Sequence, residues 1–224
     1  MQKIIVAIDG FASTGKSSLA KRLAETLNYT YIDSGAMYRA VTYFAIQKGH
    51  QGHIDQEKLL AQLDQIEIYF KYTKSGHQTF LNGSNISKEI RLSDVTEQVS
   101  KVSKILEVRS LLVIQQQKLG AKKGVIMDGR DIGTVVFPKA ECKFFLKASS
   151  EIRAKRRHLE QIEAGNNESF ASVLSNIKDR DLMDTTRKLS PLTKADDAIE
   201  IDVSEMSLEE VYQQLLGHIS KKTI

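Results

Sequence analysis

The chain has 224 residues, 41% hydrophobic and 27% charged, with 13 Gly, 2 Pro and no Trp. This composition excludes fibrous, low-complexity and disordered classes and is enough for one sizeable core. Lys and Arg outnumber Asp and Glu by 32 to 28, a net charge of +4 that suits small anionic substrates and is too small to demand nucleic acid. The longest apolar run, residues 4–8, falls far short of the roughly 20 needed to cross a bilayer and carries no cleavage-site pattern. Neither a membrane span nor a signal peptide is expected, and a cytoplasmic location follows.

In chain order, the apolar run 4–8 reads as a strand buried on both faces. Gly10-Phe-Ala-Ser13-Thr14-Gly15-Lys16-Ser17 follows it and fits G-x-x-x-x-G-K-[ST]; Leu19, Ala20, Leu23, Ala24 and Leu27 then repeat at helical spacing. A strand, a glycine-bearing loop and a helix in this register form a phosphate cradle, with backbone N–H groups turned inward at a helix N-terminus. Lys16 is expected to reach the β and γ phosphates of a nucleoside triphosphate, and the Ser17 hydroxyl to bind Mg²⁺. A second strand, 29–32, leads into Asp33-Ser34-Gly35-Ala36-Met37-Tyr38-Arg39, at the strand edge where an acceptor should lie; Ser34 could cap the following helix or touch substrate.

His50 and His53 flank Gly49 and Gly52 and read as a loop rather than a metal site. Residues 66–70 and 79–81, separated by Lys74-Ser-Gly-His77 and followed by Asn82-Gly83, predict short antiparallel strands within an inserted subdomain at about 63–102. Val108, Leu111, Leu112 and Leu119 mark a helix before the third strand, 125–127, which ends at Asp128, an acidic residue expected to contact Mg²⁺ through water. Cys142, the single cysteine, precedes the strand 144–146 and reads as a buried thiol. The basic run Arg153-Ala-Lys-Arg156-Arg157 follows, then a helix marked by Phe170, Val173, Leu174 and Ile177. Arg180, Asp184 and Arg187, at i, i+4 and i+7, should share one face of that helix. A fifth strand, 198–201, and a last helix (Leu208, Val211, Leu215, Leu216) opened by a Ser207/Glu210 capping box complete the chain. The alternation predicts an α/β P-loop NTPase fold: a five-stranded parallel sheet flanked by helices, with a small inserted antiparallel β subdomain.

A phosphate cradle leaves three classes open: a small-molecule kinase, a guanine-nucleotide switch and a motor or assembly ATPase. Neither N-K-x-D nor D-x-x-G for a guanine switch is present, and an assembly ATPase usually needs a longer chain. The surplus of arginines near turns and helix ends is what bringing two anionic phosphates together requires.

With Ser100, Arg109, Gly129-Arg130-Asp131 and Ser190-Pro191-Leu192, these segments closely resemble bacterial-type cytidylate kinase over essentially the whole chain. The resemblance implies γ-phosphoryl transfer from ATP to CMP or dCMP with Mg²⁺, in a monomer that binds neither nucleic acid nor membrane. It implies a P-loop core at 1–34 and 111–224, with a helical lid at about 151–167, and an acceptor region at 35–110. Gly10, Ser13, Thr14, Gly15, Lys16, Ser17 and Ser18 fall at the ATP site. Arg39 and Arg130 fall at the CMP phosphate; Ser100, Arg109 and Asp131 around the cytosine; Arg180 and Asp184 at the sugar; and Ser34 and Arg187 elsewhere on the acceptor side. Arg153, Arg156 and Arg157 fall in the lid, and Lys16, Arg130, Arg153 and Arg157 are the expected catalytic set. Phe11 and Ser13 stand where the family usually carries Pro and Gly.

Overall fold

The computed structural model describes residues 2–49, 53–73 and 76–223; His50, Gly52, Lys74 and Ser75, named above, lie outside the described residues. The elements are β1 (Ile5–Gly10), α1 (Lys16–Leu27), β2 (Thr30–Asp33), α2 (Ser34–Lys48), α3 (Gln56–Leu60), β3 (Ile68–Thr73), β4 (Gly76–Leu81) and β5 (Ser84–Asn85). They continue with α4 (Ser93–Val102), α5 (Leu106–Gly120), β6 (Val125–Gly129), β7 (Cys142–Lys147), α6 (Ser150–Glu163), α7 (Phe170–Thr186), β8 (Ile199–Asp202) and α8 (Leu208–Ser220). They divide into two compact units, Met1–Ile32 with Leu119–Ile224, and Asp33–Lys118. No helix among the described residues is long and apolar enough to cross a membrane.

The first unit is built on a five-stranded parallel sheet in the order β2-β6-β1-β7-β8, as the alternation of strands and helices predicts. Strand alternation sorts the two faces. Val6 and Ile8 of β1 pair with Cys142 and Phe144 of β7, and all four are buried with Leu19 and Leu23 of α1 and Val211 and Leu215 of α8. Ala7, Asp9, Lys143 and Phe145 point the other way. Cys142 is the expected inert thiol, with burial pushing its pKa up to about 11. The capping box that opens α8 forms as read: the Ser207 hydroxyl accepts from Glu210 N while Glu210 accepts from Ser207 N.

In the second unit β3, β4 and β5 form an antiparallel sheet, with Tyr69 stacked on Phe80 across the first pair. The turn after β4 falls at Asn82 and Gly83, both at positive φ. The strands read at 66–70 and 79–81 fall at Ile68–Thr73 and Gly76–Leu81, and the inserted stretch continues into the helix α4, where Val95, Val99 and Val102, all buried, lie at helical spacing. Asp33, not Ser34, caps α2: its carboxylate accepts from Ala36 N at 2.7 Å, and Ser34 is the first helical residue. An ionised acceptor next to the first turn satisfies an orphan N–H better than a hydroxyl already inside the helix.

Candidate functional site

The sheet delivers Gly10 at the end of β1 with φ 144°, where a Cβ would lie 2.0 Å from the Leu146 carbonyl oxygen of the neighbouring strand. Only glycine lets the chain turn there. Ser13 takes a left-handed φ of 57°, and Gly15 at φ 83° opens α1. The side chain of Phe11 packs edge-on against Phe145 with centroids 6.1 Å apart. The Lys16 ammonium is buried inside this loop, donating to the Phe11 carbonyl and to Thr14 Oγ1 at 3.2 Å. Burial, and then the Arg130 guanidinium, hold the Lys16 pKa well below its ordinary value, with Arg180 pushing the same way. A phosphate bound in the cradle would offset that cationic field.

Ser17 and Asp128 meet. The Ser17 hydroxyl donates to Asp128 Oδ2 at 2.8 Å and the Tyr31 hydroxyl to Oδ1 at 2.8 Å, fixing both oxygens of a buried carboxylate. This all-oxygen pairing of a hydroxyl and a carboxylate next to a phosphate cradle suits a hard cation such as Mg²⁺.

Beyond β6, the adjacent side chains of Arg130 and Asp131 take different partners. Arg130 Nε donates to Asp184 Oδ2 at 2.8 Å, while Asp131 lies 3.9 Å from Arg187 Nη2. Helix α7 ends at Thr186, so Arg187, with ψ 139°, does not continue the Arg180–Asp184 face as its spacing suggested. It turns back to donate to the Ser190 carbonyl at 2.7 Å; Ser190 precedes Pro191, and this segment cannot extend the helix. Asp184 nevertheless sits among guanidinium groups. Burial pushes its carboxyl up, but Arg130, Arg180 and Arg187 outweigh that and hold it below the ordinary carboxylate value.

The arginines of α6 have separate environments. Arg153 is buried, gripping Asp181 of α7 through Nη1 at 3.0 Å and Nη2 at 2.5 Å, with its guanidinium carbon 5.0 Å over the Phe11 ring. It also donates to the Ala12 carbonyl at 3.4 Å, tying the helix to the phosphate loop. Arg156 donates to the Val203 carbonyl at 2.7 Å. Arg157 is 45% exposed and stands 3.5 Å from Glu160.

In the second unit, Arg39 pairs with Asp33 at 3.0 Å. Arg109 is buried, donates to the Ser103 carbonyl at 3.0 Å and lies 5.3 Å over the Tyr38 ring. Ser103 in turn donates to the carbonyl of Ser100, which is buried too. Tyr38 itself is buried on α2.

Sequence reasoning did not pick out Asp9, Tyr31 or Asp181 as members of this arrangement. For Asp9 there was a signal: a carboxylate ending a strand that is otherwise apolar and buried must be satisfied by something.

A buried P-loop lysine, a hydroxyl–carboxylate pair and a cluster of arginines around a parallel sheet define a P-loop kinase. A family model described as cytidylate kinase matches residues 6–221. The chain is 51% identical over 224 residues to the cytidylate kinase of Flavobacterium psychrophilum, covering 98% of this chain and 99% of that one. It is 45% identical over 222 residues to that of Bacillus subtilis, covering 99% of each. A solved structure of an uncharacterized protein from Eubacterium ventriosum shares the fold, with a TM-score of 0.53 at 13% identity, over 98% of this chain and 99% of that one. The chain belongs to the cytidylate kinase family.

Proposed function

We propose that the protein transfers the γ-phosphoryl group of ATP to CMP or dCMP, giving ADP and CDP or dCDP in pyrimidine nucleotide metabolism. The observation that carries this reading is the concentration of Arg130, Arg180 and Arg187 around Asp184, two of them within electrostatic reach of Lys16. Guanidinium groups that close to a P-loop lysine suit an acceptor that is itself a phosphate. Gly10, Ser13, Thr14, Gly15, Lys16, Ser17 and Ser18 would hold ATP. Ser34, Arg39, Ser100, Arg109, Arg130, Asp131, Arg180, Asp184 and Arg187 are assigned to CMP.

Ser17, and Asp128 through water, would hold Mg²⁺. When bound, that ion neutralises charge on the β and γ phosphates. The attacking atom is an oxygen of the CMP α-phosphate, already ionised at neutral pH, so the chain needs no general base. Its residues align two anions and neutralise the charge that spreads over the transferring group, with Lys16 and Arg130 next to the cradle and Arg153 and Arg157 on α6. Asp131 is assigned to the cytosine amino group, which uracil replaces with a carbonyl.

ADP release measured with ATP, Mg²⁺ and each of CMP, dCMP, UMP, AMP and GMP tests the reading. CMP and dCMP should be preferred. Equal or better use of UMP or a purine nucleotide overturns the acceptor assignment, and no nucleotide-stimulated ADP release overturns the reaction.

A further inference from the structure

The segment carrying Arg130 and Asp131 is fixed at both of its ends by one residue outside the phosphate cradle. Asp9, the last residue before Gly10, is aligned with Gly129 where β1 runs beside β6. Three residues further on the chain returns to the same side chain: Asp9 Oδ1 accepts from Ile132 N at 2.9 Å and Oδ2 from Gly133 N at 2.7 Å. A π-helical turn, Ile132–Val136, starts at that point. Its far end is held from the same face of the sheet, where the buried Lys143 of β7 donates to the Pro138 carbonyl at 2.6 Å. Space is also tight: a Cβ on Gly133 would lie 3.2 Å from Lys143 Cδ and 3.4 Å from Asp9 Oδ2.

We propose that Asp9 is a positioning residue for the acceptor nucleotide: its carboxylate clamps the amides of Ile132 and Gly133 and thereby sets where Arg130 and Asp131 project. This rests on the assignment of Arg130 and Asp131 to CMP. A side chain that merely filled the strand end would be apolar here, because a carboxylate only 4% exposed is costly unless its hydrogen bonds are made. Both bonds go to the acceptor turn and neither goes to the phosphate loop that Asp9 precedes.

Asp9→Asn separates positioning from general damage. Asn keeps the shape and one acceptor but sets an NH₂ donor against the second amide, so one clamp bond is lost. The KM for CMP should rise about tenfold, the equivalent of one lost hydrogen bond, and the preference for CMP over UMP should shrink. The KM for ATP should stay within about twofold, well below the tenfold equivalent of one lost bond. Gly133→Ala, whose Cβ would press on Asp9 Oδ2 and on Lys143 Cδ, should give the same acceptor-selective change at smaller size and stands in if the first variant does not fold. Equal shifts in both KM values, or no CMP-selective shift in either variant, overturn the role of Asp9. Wild-type enzyme assayed alongside distinguishes the two failures: if it does not phosphorylate CMP, the assignment of the acceptor falls and this role falls with it.

Discussion

Single ionisable groups in this protein have environments that set their tasks. Lys16 lies in a buried, arginine-rich field that disfavours its own charge, so its ammonium is held ready for phosphate by geometry and not by a resident carboxylate partner at bonding distance. Lys16→Ala should therefore lower turnover by at least about 10²-fold, the usual loss for one preorganised donor, measured as ADP release at saturating nucleotide. A loss below about fivefold in a folded variant removes Lys16 from the chemistry. Asp9 makes a prediction of a different kind. Burial pushes its carboxyl from the ordinary 3.8 up to about 7, against the two amide bonds and with the Asp131 charge adding to the rise and Lys16 opposing it. Between those two values the folded chain binds more proton at this site than the unfolded chain does, so the contribution of Asp9 to stability falls as pH rises from about 4 to about 7. In Asp9→Asn that slope disappears. Urea midpoints at pH 5 and pH 8 should differ less in the variant than in the wild type, and equal differences refute a raised carboxyl here.

At the scale of elements, helices α6 and α7 are joined by a charge pair as well as by the apolar contacts of Ala154, Val173 and Ile177. Arg153 is 3% exposed in its side chain and Asp181 18%, so Asp181→Ala leaves a desolvated guanidinium without its carboxylate. That should cost about 3 kcal/mol in chemical denaturation. Arg157→Ala breaks only a surface pair and should cost less than about 0.5 kcal/mol, so a fall in its turnover would report on chemistry and not on folding. Neither Asp181 nor the Ala12 carbonyl was legible in the sequence as a partner of Arg153. A run of four basic residues on a helix gives the face, but these two partners come from segments far along the chain. Arg187 illustrates the converse: a spacing of seven predicts a shared helix face, and the end of α7 one residue earlier removes it. The capping box of α8 was fully legible, because every group that makes it lies within four consecutive residues.

Across the whole molecule, legibility follows the range of the interaction. The five parallel strands and the P-loop were readable because continuous apolar runs and a glycine pattern are local signals of buried strands and of a phosphate turn. The joining of Asp9 to residues 132 and 133, or of Arg130 to Asp184, depends on strand order, which no local pattern encodes. The assignment of acceptor residues has a consequence at this scale. Ser34, Arg39, Ser100 and Arg109 belong to the unit Asp33–Lys118, while the cradle residues 10–18 belong to the other. If both sets bind their nucleotides as assigned, CMP at about 100 times its Kd adds about 2.7 kcal/mol to the stability of whatever it binds. Amide exchange should then slow in segments around residues 34–39 and 100–109 as well as around 130–131. ATP alone should slow exchange around residues 10–18. Exchange measured by mass spectrometry with each nucleotide separately checks this. Protection by CMP confined to Met1–Ile32 and Leu119–Ile224 would remove Ser34, Arg39, Ser100 and Arg109 from the acceptor set and leave Arg130, Asp131, Arg180, Asp184 and Arg187 to hold CMP without them.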